Sequence, residues 1–391
     1  MLRALIGVAA GLVAALPASA APYLPKDDAV VLERLPAKAS DPAMAELRQL
    51  RAAAASSPDD PDAAGALARR YFEMAMAEGD PRYVGYADSA LRKWRDDDTA
   101  PPELLVLRGL LRQYRHDFAG GLEDLARALR ADPQDAEAHA WRAAIFMVQA
   151  DYGQARRECE ALQRVSSALH ATACATYVEA TTGSLRPAYE RLEAALAARP
   201  DAGPGMRQWA LTRLAEMAWR LGDGAAAERH FKDGIALGTD NFLLAAYADF
   251  LLEQNRPADV VQLLKDWVRA DTLLLRLAIA EQRLKLEPAE AHARTLGERF
   301  AEAALRGEKL HLQEEARYLL ELRGDARAAL AAASENWKSQ REPRDAGILL
   351  EAALAAREPA AAAPAIEWLE ASRFENRRYR ELAARIKALR P

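Results

Sequence analysis

The 391-residue sequence lacks the short patterns that mark most enzymes and metalloproteins. It has no Cys-x-x-Cys pair and no two histidines at His-x-x-x-His spacing, which argues against a metal site. It also has no Gly-x-x-x-x-Gly-Lys loop, no Gly-x-Gly-x-x-Gly turn and no Gly-x-Ser-x-Gly elbow, so no nucleotide site or serine-hydrolase site is indicated. We therefore expect a protein that is not an enzyme and that holds neither a metal nor a cofactor.

The chain also lacks the positive charge that nucleic-acid binding requires. Lys and Arg total 53 against 58 Asp and Glu, a formal net charge of −5, whereas nucleic-acid binding depends on neutralising phosphates. The stretch 373–391 is locally basic, and either an anionic surface or a solvated helical cap would account for it. We expect neither nucleic acid nor a membrane surface as a partner.

Aromatic residues are scarce at 7%, while alanine, leucine, arginine and glutamate are abundant. These four are strong helix formers, and β-branched residues are few, so the composition predicts an all-α protein. An all-α chain of this length is more naturally an array of small helical units than one large globule.

The first residues have the features of an export signal. Arg3 gives a positive start, Ala4–Leu16 is an uncharged apolar run, and Ala18-Ser19-Ala20 supplies the small side chains that a signal peptidase accepts. The run is short for a membrane span, which needs about 20 apolar residues. We expect cleavage after Ala20 and a periplasmic protein; retention as an uncleaved anchor is the alternative.

A helix-breaking pair of residues recurs along the chain at intervals of 33 to 39 residues, apart from one gap of 69 between Arg256 and Asp325. The gap is close to two intervals, which predicts one degenerate repeat inside it. A period near 34 with a central turn is typical of a helix–turn–helix unit. The pairs are Gly79-Asp80, His116-Asp117, Ala150-Asp151, Gly183-Ser184, Gly222-Asp223, Asn255-Arg256, Gly324-Asp325 and Arg357-Glu358.

Small residues flank these turns at fixed distances, as they must where two helix axes approach closely. Eight residues before the turn stand Gly109, Ala143, Thr176, Ala215 and Ala248; about four after it stand Gly121, Ala155, Ala188, Ala227, Val260 and Ala329. A plug follows at Leu125, Cys159, Leu192, Phe231 and Leu264, and Ala128, Ala195 and Gly234 complete the pattern.

This pattern resembles the tetratricopeptide repeat (TPR). The resemblance implies an all-α, right-handed superhelix (α-solenoid) of about eight helix–turn–helix repeats, with a concave and a convex face. Arg108, Arg142 and Arg317 depart from the family's apolar or small residues, and Asp271–Leu310 matches it poorly. The predicted organisation is a signal peptide (1–20), an N-terminal linker and helix (21–57), the repeat array (58–372) and a C-terminal capping helix (373–391).

The two cysteines fall on neighbouring predicted helices. Cys159 is the plug of one repeat and Cys174 lies on the first helix of the next. In an oxidising compartment they would form a disulfide if their Cα atoms lie within about 7 Å. Two buried free thiols are the alternative.

In the family the concave face carries the binding residues, and its register can be transferred position by position. The residues selected are Tyr114, Met147, Tyr177, Trp209, Glu216, Trp219, Arg220, Asp249, Glu253 and Arg283. Trp, Tyr and Arg dominate binding hot spots, although some of these rings could instead pack against adjacent helices. The co-chaperone clamp for carboxylate termini is absent, because its positions hold Val106, Leu110, Ala140 and Ala144.

The interpretation that these features favour is a periplasmic adaptor that binds a protein segment in its groove, for envelope assembly or secretion. A binding module for a glycan or other small ligand is the alternative. The sequence leaves the partner's identity and the oligomeric state open.

Overall fold

The computed structural model describes residue 27 and residues 42–97, 99–307 and 311–389. The predicted signal peptide, residues 1–20, lies outside the described residues. The chain divides into two compact units, 1–48 and 49–391, and the described part of the first is residue 27 and the first half of helix α1. Apart from the bounds of α1, the helices and contacts given below belong to the second unit.

The regular structure of the described residues is entirely helical, as predicted. The helices are α1 (Pro42–Ser56), α2 (Pro61–Glu78), α3 (Arg82–Ala90), α4 (Pro102–Tyr114), α5 (Phe118–Ala131), α6 (Ala136–Val148), α7 (Tyr152–Val165), α8 (Ala168–Thr181), α9 (Leu185–Ala197), α10 (Pro204–Arg220), α11 (Gly224–Leu237), α12 (Asn241–Glu253), α13 (Pro257–Leu264), α14 (Asp271–Leu284), α15 (Pro288–Leu305), α16 (Leu312–Glu321), α17 (Ala326–Trp337), α18 (Pro343–Ala356), α19 (Ala363–Ser372) and α20 (Arg377–Lys387). Two short 3₁₀ turns, Arg92–Trp94 and Pro359–Ala362, complete the set.

Helices α2 to α19 form nine successive pairs in the described residues, against about eight expected, and α20 follows them. We call the first helix of each pair the A helix and the second the B helix. The degenerate repeat predicted between Arg256 and Asp325 is the pair α14–α15. The superhelical repeat fold is therefore confirmed.

Each predicted turn has the same backbone conformation at its first residue. The first residue of the pair adopts positive φ, from 55° at Asn255 to 86° at Gly183, which ends the A helix in the left-handed conformation. In four of the eight turns the aspartate that follows also caps the B helix: Asp117 Oδ1 accepts a hydrogen bond from the Gly120 amide at 3.0 Å, and Asp223, Asp151 and Asp325 do the same in their turns. The ninth turn has its positive φ, 56°, at Lys285.

The predicted small residues lie where A and B helices touch. A Cβ placed on Gly121 would stand 3.1 Å from the carbonyl oxygen of Gly109, and one on Gly109 would stand 2.9 Å from Leu125 Cγ. The plug residues Leu125 and Phe231 are fully buried. These contacts fix the spacing of each pair, and hence which A-helix residues face inward.

The arginines that depart from the family pattern are paired with acids. Arg108 is 7% exposed, and its Nε lies 2.8 Å from Oδ2 of the fully buried Asp124 on the B helix. Arg142 Nε similarly lies 2.7 Å from Glu158 Oε1. In both repeats an ion pair takes the place of the expected apolar contact between the two helices of the pair.

Of the two states open to the cysteines, the structure has the disulfide. Cys159 on α7 and Cys174 on α8 are bonded, with their Cα atoms 5.4 Å apart. The bond joins the B helix of one repeat to the A helix of the next, so it stabilises the stacking of repeats.

We predict that Gly121→Leu lowers the free energy of unfolding by about 1–3 kcal/mol, because the added side chain must separate α4 from α5. Gly85→Leu on α3 is the matched control, since a Cβ there meets no atom within 4 Å. Urea denaturation measures both variants. Equal stability of the two would contradict the close-approach account.

We predict that the double variant Cys159→Ala, Cys174→Ala is less stable than the oxidised protein by about 3 kcal/mol, as expected for a 15-residue loop. Denaturation with and without reductant gives the same comparison in the natural sequence. The disulfide contributes nothing if reductant leaves the unfolding midpoint unchanged.

Candidate binding cavity

The inner faces of six A helices, α8, α10, α12, α14, α16 and α18, surround a cavity of about 620 Å³. Helix α20 and the loop before it complete the wall. The lining is strongly charged, with seven arginines and six carboxylates beside the rings of Tyr177, Trp219, Phe242, Phe374 and Tyr379.

Seven of the ten residues selected from the sequence line this cavity. They are Tyr177, Glu216, Trp219, Arg220, Asp249, Glu253 and Arg283. Whether they bind a partner stays a prediction, but the structure brings them together.

The other three selected residues lie outside the cavity. Met147 is buried in the apolar cluster around the disulfide, and Trp209 packs edge-on against the ring of His170. Tyr114 is half-buried on α4, and burial raises the pKa of its hydroxyl. The register transferred from the family therefore selected these three residues, but they do not line the cavity.

A late loop covers the C-terminal ends of the early A helices. The Arg341 amide donates to the Val148 carbonyl oxygen at 2.7 Å, and Gln340 Nε2 lies 3.3 Å from His116 Nδ1. These contacts place the chain's own residues over the ends of α4 and α6.

Several lining residues were not selected from the sequence. They include Arg213, Arg276, Arg317, Glu342, Arg344, Glu351 and Tyr379. The register that selected Trp209 and Glu216 would have found two of them, because it places Arg344 and Glu351 at the matching positions of α18. No repeat pattern points to Tyr379, which lies on the helix that follows the last pair.

The loop before α20 is fastened to the middle repeats. The Glu375 carboxylate accepts a hydrogen bond from the Leu185 amide at 2.8 Å, and so caps α9, where the side chain of the turn residue Ser184 makes no cap hydrogen bond. Arg220 Nε donates to the Glu375 carbonyl oxygen at 3.2 Å. On the adjoining helix α19, Trp368 Nε1 donates to the Tyr152 hydroxyl at 2.8 Å.

One end of the cavity is a balanced network of four arginines and four acids. Asp249 on α12 lies 2.6 Å from Arg276 on α14 and also pairs with Arg317 on α16. Glu321 joins Arg317 to Arg283, with distances of 2.7 and 3.0 Å. Arg378 of α20 pairs with Glu351 and lies 3.7 Å from Glu253.

The opposite end, which we call the arginine end, contains Arg213, Arg220, Arg344, Glu216 and Glu342. The Arg213 guanidinium lies between the rings of Tyr177 and Phe242, 4.6 and 4.4 Å from their centres. It pairs with Glu216 at 3.0 Å, and Arg344 pairs with Glu342 at 2.7 Å. Burial raises the pKa of Glu216.

A solved structure matches the fold with a TM-score above 0.5. A chain of the APC/C hetero-tetramer Cut9-Hcn1 aligns with a TM-score of 0.53 and 13% identity over 88% of this chain and 66% of that one, so this chain spans just under two thirds of its length. An IFIT1 monomeric mutant with Gppp-AAAA (TM-score 0.41, 12% identity, 86% and 84% covered) and yeast Tom70 (0.33, 13%, 89% and 92%) are less similar. No protein-family model and no curated protein matches the chain.

At such low identity the first of these likenesses shows the fold alone, which is an all-helical repeat. Among the described residues, no helix combines the length and apolar character of a membrane span, and no cluster of three metal-ligating side chains occurs.

We predict that Asp249→Asn lowers the free energy of unfolding by about 2–3 kcal/mol, because it leaves Arg276 and Arg317 without their shared carboxylate. The loss is smaller than for a fully buried pair, since 26% of the Asp249 side chain is exposed. Asp259→Asn, which breaks an exposed pair with Arg256, should cost less than about 1 kcal/mol.

The pH dependence provides a second test. Burial alone would raise the pKa of Asp249, but Arg276 and Arg317 outweigh burial and hold that pKa below its ordinary value. The stabilisation is therefore present above the unfolded pKa of about 3.9 and is lost as pH falls through the lower folded pKa. The stability difference between wild type and Asp249→Asn should shrink below about pH 4; a constant difference would contradict this.

Proposed function

We propose that the protein is an exported, periplasmic scaffold without enzymatic activity, whose inner cavity holds an extended segment of a partner protein. The observation that carries the proposal is the convergence of Tyr177, Trp219 and Arg220 on one cavity of a repeat fold. These residue types dominate binding hot spots, and repeat proteins use their concave surfaces for binding. The signal-like first 20 residues support export.

The size of the cavity favours an extended segment over a helix. An α-helix with its side chains is about 10–12 Å across, and α18 and α20 already line the inner face that a helical partner would need. A volume of about 620 Å³ falls in the range of sites that take small ligands. A few extended residues with their side chains fit that description.

The chemistry of the lining supports binding rather than catalysis. The described side chains around the cavity include no histidine, cysteine or serine. The carboxylates of Asp249, Glu321 and Glu351 are held in ion pairs with arginines. Such groups suit the recognition of a polar ligand.

A small ligand is the second candidate, and one observation favours it. The cavity is walled on one side by α8 to α16 and on another by α18, α20 and the loop that Glu375 fastens to α9. A site surrounded in this way by one chain also suits a glycan fragment or another small molecule.

The experiment is capture of partners by the mature protein in its native envelope, with light crosslinking. We expect a discrete protein to be recovered by the wild type and lost by the double variant Tyr177→Glu, Trp219→Glu. The matched control is Tyr86→Glu, Leu305→Glu, which adds the same charges at exposed positions outside the cavity. The recovered protein should then bind the purified wild type, and not the cavity variant, in a direct titration.

If wild type and cavity variant recover the same proteins, the cavity is not the binding surface. A small molecule that remains on the wild type in native mass spectrometry, with no protein partner, would favour the second candidate. Export is tested separately, by the intact mass of the periplasmic protein, which should correspond to cleavage after Ala20.

A further inference from the structure

The arginine end of the cavity has three arginines but only two carboxylates that form ion pairs with them. The carboxylate of Glu375, which also acts on Arg220, caps α9 instead. Arg213 is paired with Glu216 and Arg344 with Glu342. Arg220 makes no ion pair among the described residues. Its Nε and Nη2 donate instead to the backbone carbonyl oxygens of Glu375 and Ala180, and its guanidinium lies 3.9 Å from the centre of the Phe374 ring.

This unpaired cation is largely withdrawn from water. Burial lowers the pKa of Arg220 to about 10, although Glu216 and Glu375 act in the opposite direction. A buried charge without a counter-ion is costly, and such charges in proteins are normally paired. Arg220 is nevertheless fixed by two hydrogen bonds and a ring contact, so its position is defined before any ligand arrives.

The arginine end and the rings around it also contain hydrogen-bond donors without acceptors. Arg213, held between the Tyr177 and Phe242 rings, has a buried Nε with no hydrogen-bond partner. Within the part of the chain that the structure describes, the hydroxyl of Tyr177, which lines the cavity, also has no hydrogen-bond partner. The site therefore offers the Tyr177 hydroxyl as a donor close to an arginine that the described residues leave without an ion pair.

A carboxylate is the complement of this arrangement. Ionised, it only accepts hydrogen bonds, and its bonds to guanidinium groups are about twice as strong as neutral ones. The exposed ring of Phe242, which contacts Arg213, provides apolar surface next to it. At the other end of the cavity, by contrast, all four arginines are paired with acids.

We propose, resting on the proposed function, that the bound segment carries a carboxylate, which binds among Arg220, Arg213 and Tyr177 with an apolar side chain beside it. The carboxylate belongs either to an acidic side chain or to the end of the partner's chain. The rest of the segment extends toward Asp249. This site is formed by α8, α10 and the loop before α20, away from the clamp positions on α4 and α6.

Three dipeptides that differ only in charge test the inference. Acetyl-Gln-Phe-amide is neutral, acetyl-Glu-Phe-amide has a side-chain carboxylate, and acetyl-Gln-Phe with a free acid has a terminal one. Titration calorimetry or ligand-observed NMR measures their affinities for the full mature protein. We expect at least one acid to bind tenfold or more tightly than the neutral peptide, and the stronger acid identifies the source of the carboxylate.

Two variants and a control assign the preference to this site. Arg220→Met should reduce the acid-to-neutral affinity ratio to about one, whereas Tyr177→Phe, which removes a single hydroxyl, should reduce it a few-fold. Arg157→Met, at an exposed position on α7, should leave the ratio unchanged. Circular dichroism checks that Arg220→Met is folded. If Arg220→Met is unfolded, the affinity ratio of Tyr177→Phe still tests this site.

The inference is overturned if all three peptides bind equally, if none binds at millimolar concentration, or if the preference survives in both Arg220→Met and Tyr177→Phe. Its failure is separable from failure of the proposed function. A protein captured through the cavity without any acid preference would leave the scaffold proposal standing, whereas an acid preference without a captured protein would favour a small organic acid as ligand.

Discussion

The ion pairs that converge on Asp249 are the interaction on which the rest of the inner face depends. Asp249, Arg276 and Arg317 come from α12, α14 and α16, so one carboxylate joins three successive A helices. Charged groups in such a network cannot collapse into an apolar core without losing their partners. The network therefore fixes the spacing of the A helices and keeps a polar space between them, which is the cavity.

The closing segment depends on the same kind of interaction over longer range. In four other repeats an aspartate of the turn caps the B helix, but at Ser184 the cap is supplied by Glu375 from far along the chain. Arg220 then holds the same loop through its backbone. The last helix is thus fastened to the middle repeats by groups that also form the arginine end of the cavity, so the shape of the cavity and the position of α20 are coupled.

Local features of the fold could be predicted from the sequence, and long-range ones could not. The turns were predictable because each has a left-handed residue and four of them also have an aspartate cap. Seven cavity residues on α8 to α14 were predictable because they keep one register. The turn at Lys285 was not predicted because the apolar Leu286 stands where every other turn has a polar second residue. Contacts such as Arg341 with Val148 have no sequence period, so the covering of α4 and α6 was not predictable.

The central claim is that the inner cavity, rather than an outer face, holds the partner. The most direct measurement is an experimental structure of the mature protein bound to the partner recovered from its native envelope. The account predicts an extended segment inside the cavity, with an acidic group near Arg220 and with α20 still fastened through Glu375. A partner bound to the outer B-helix surface, with the cavity empty, would contradict it.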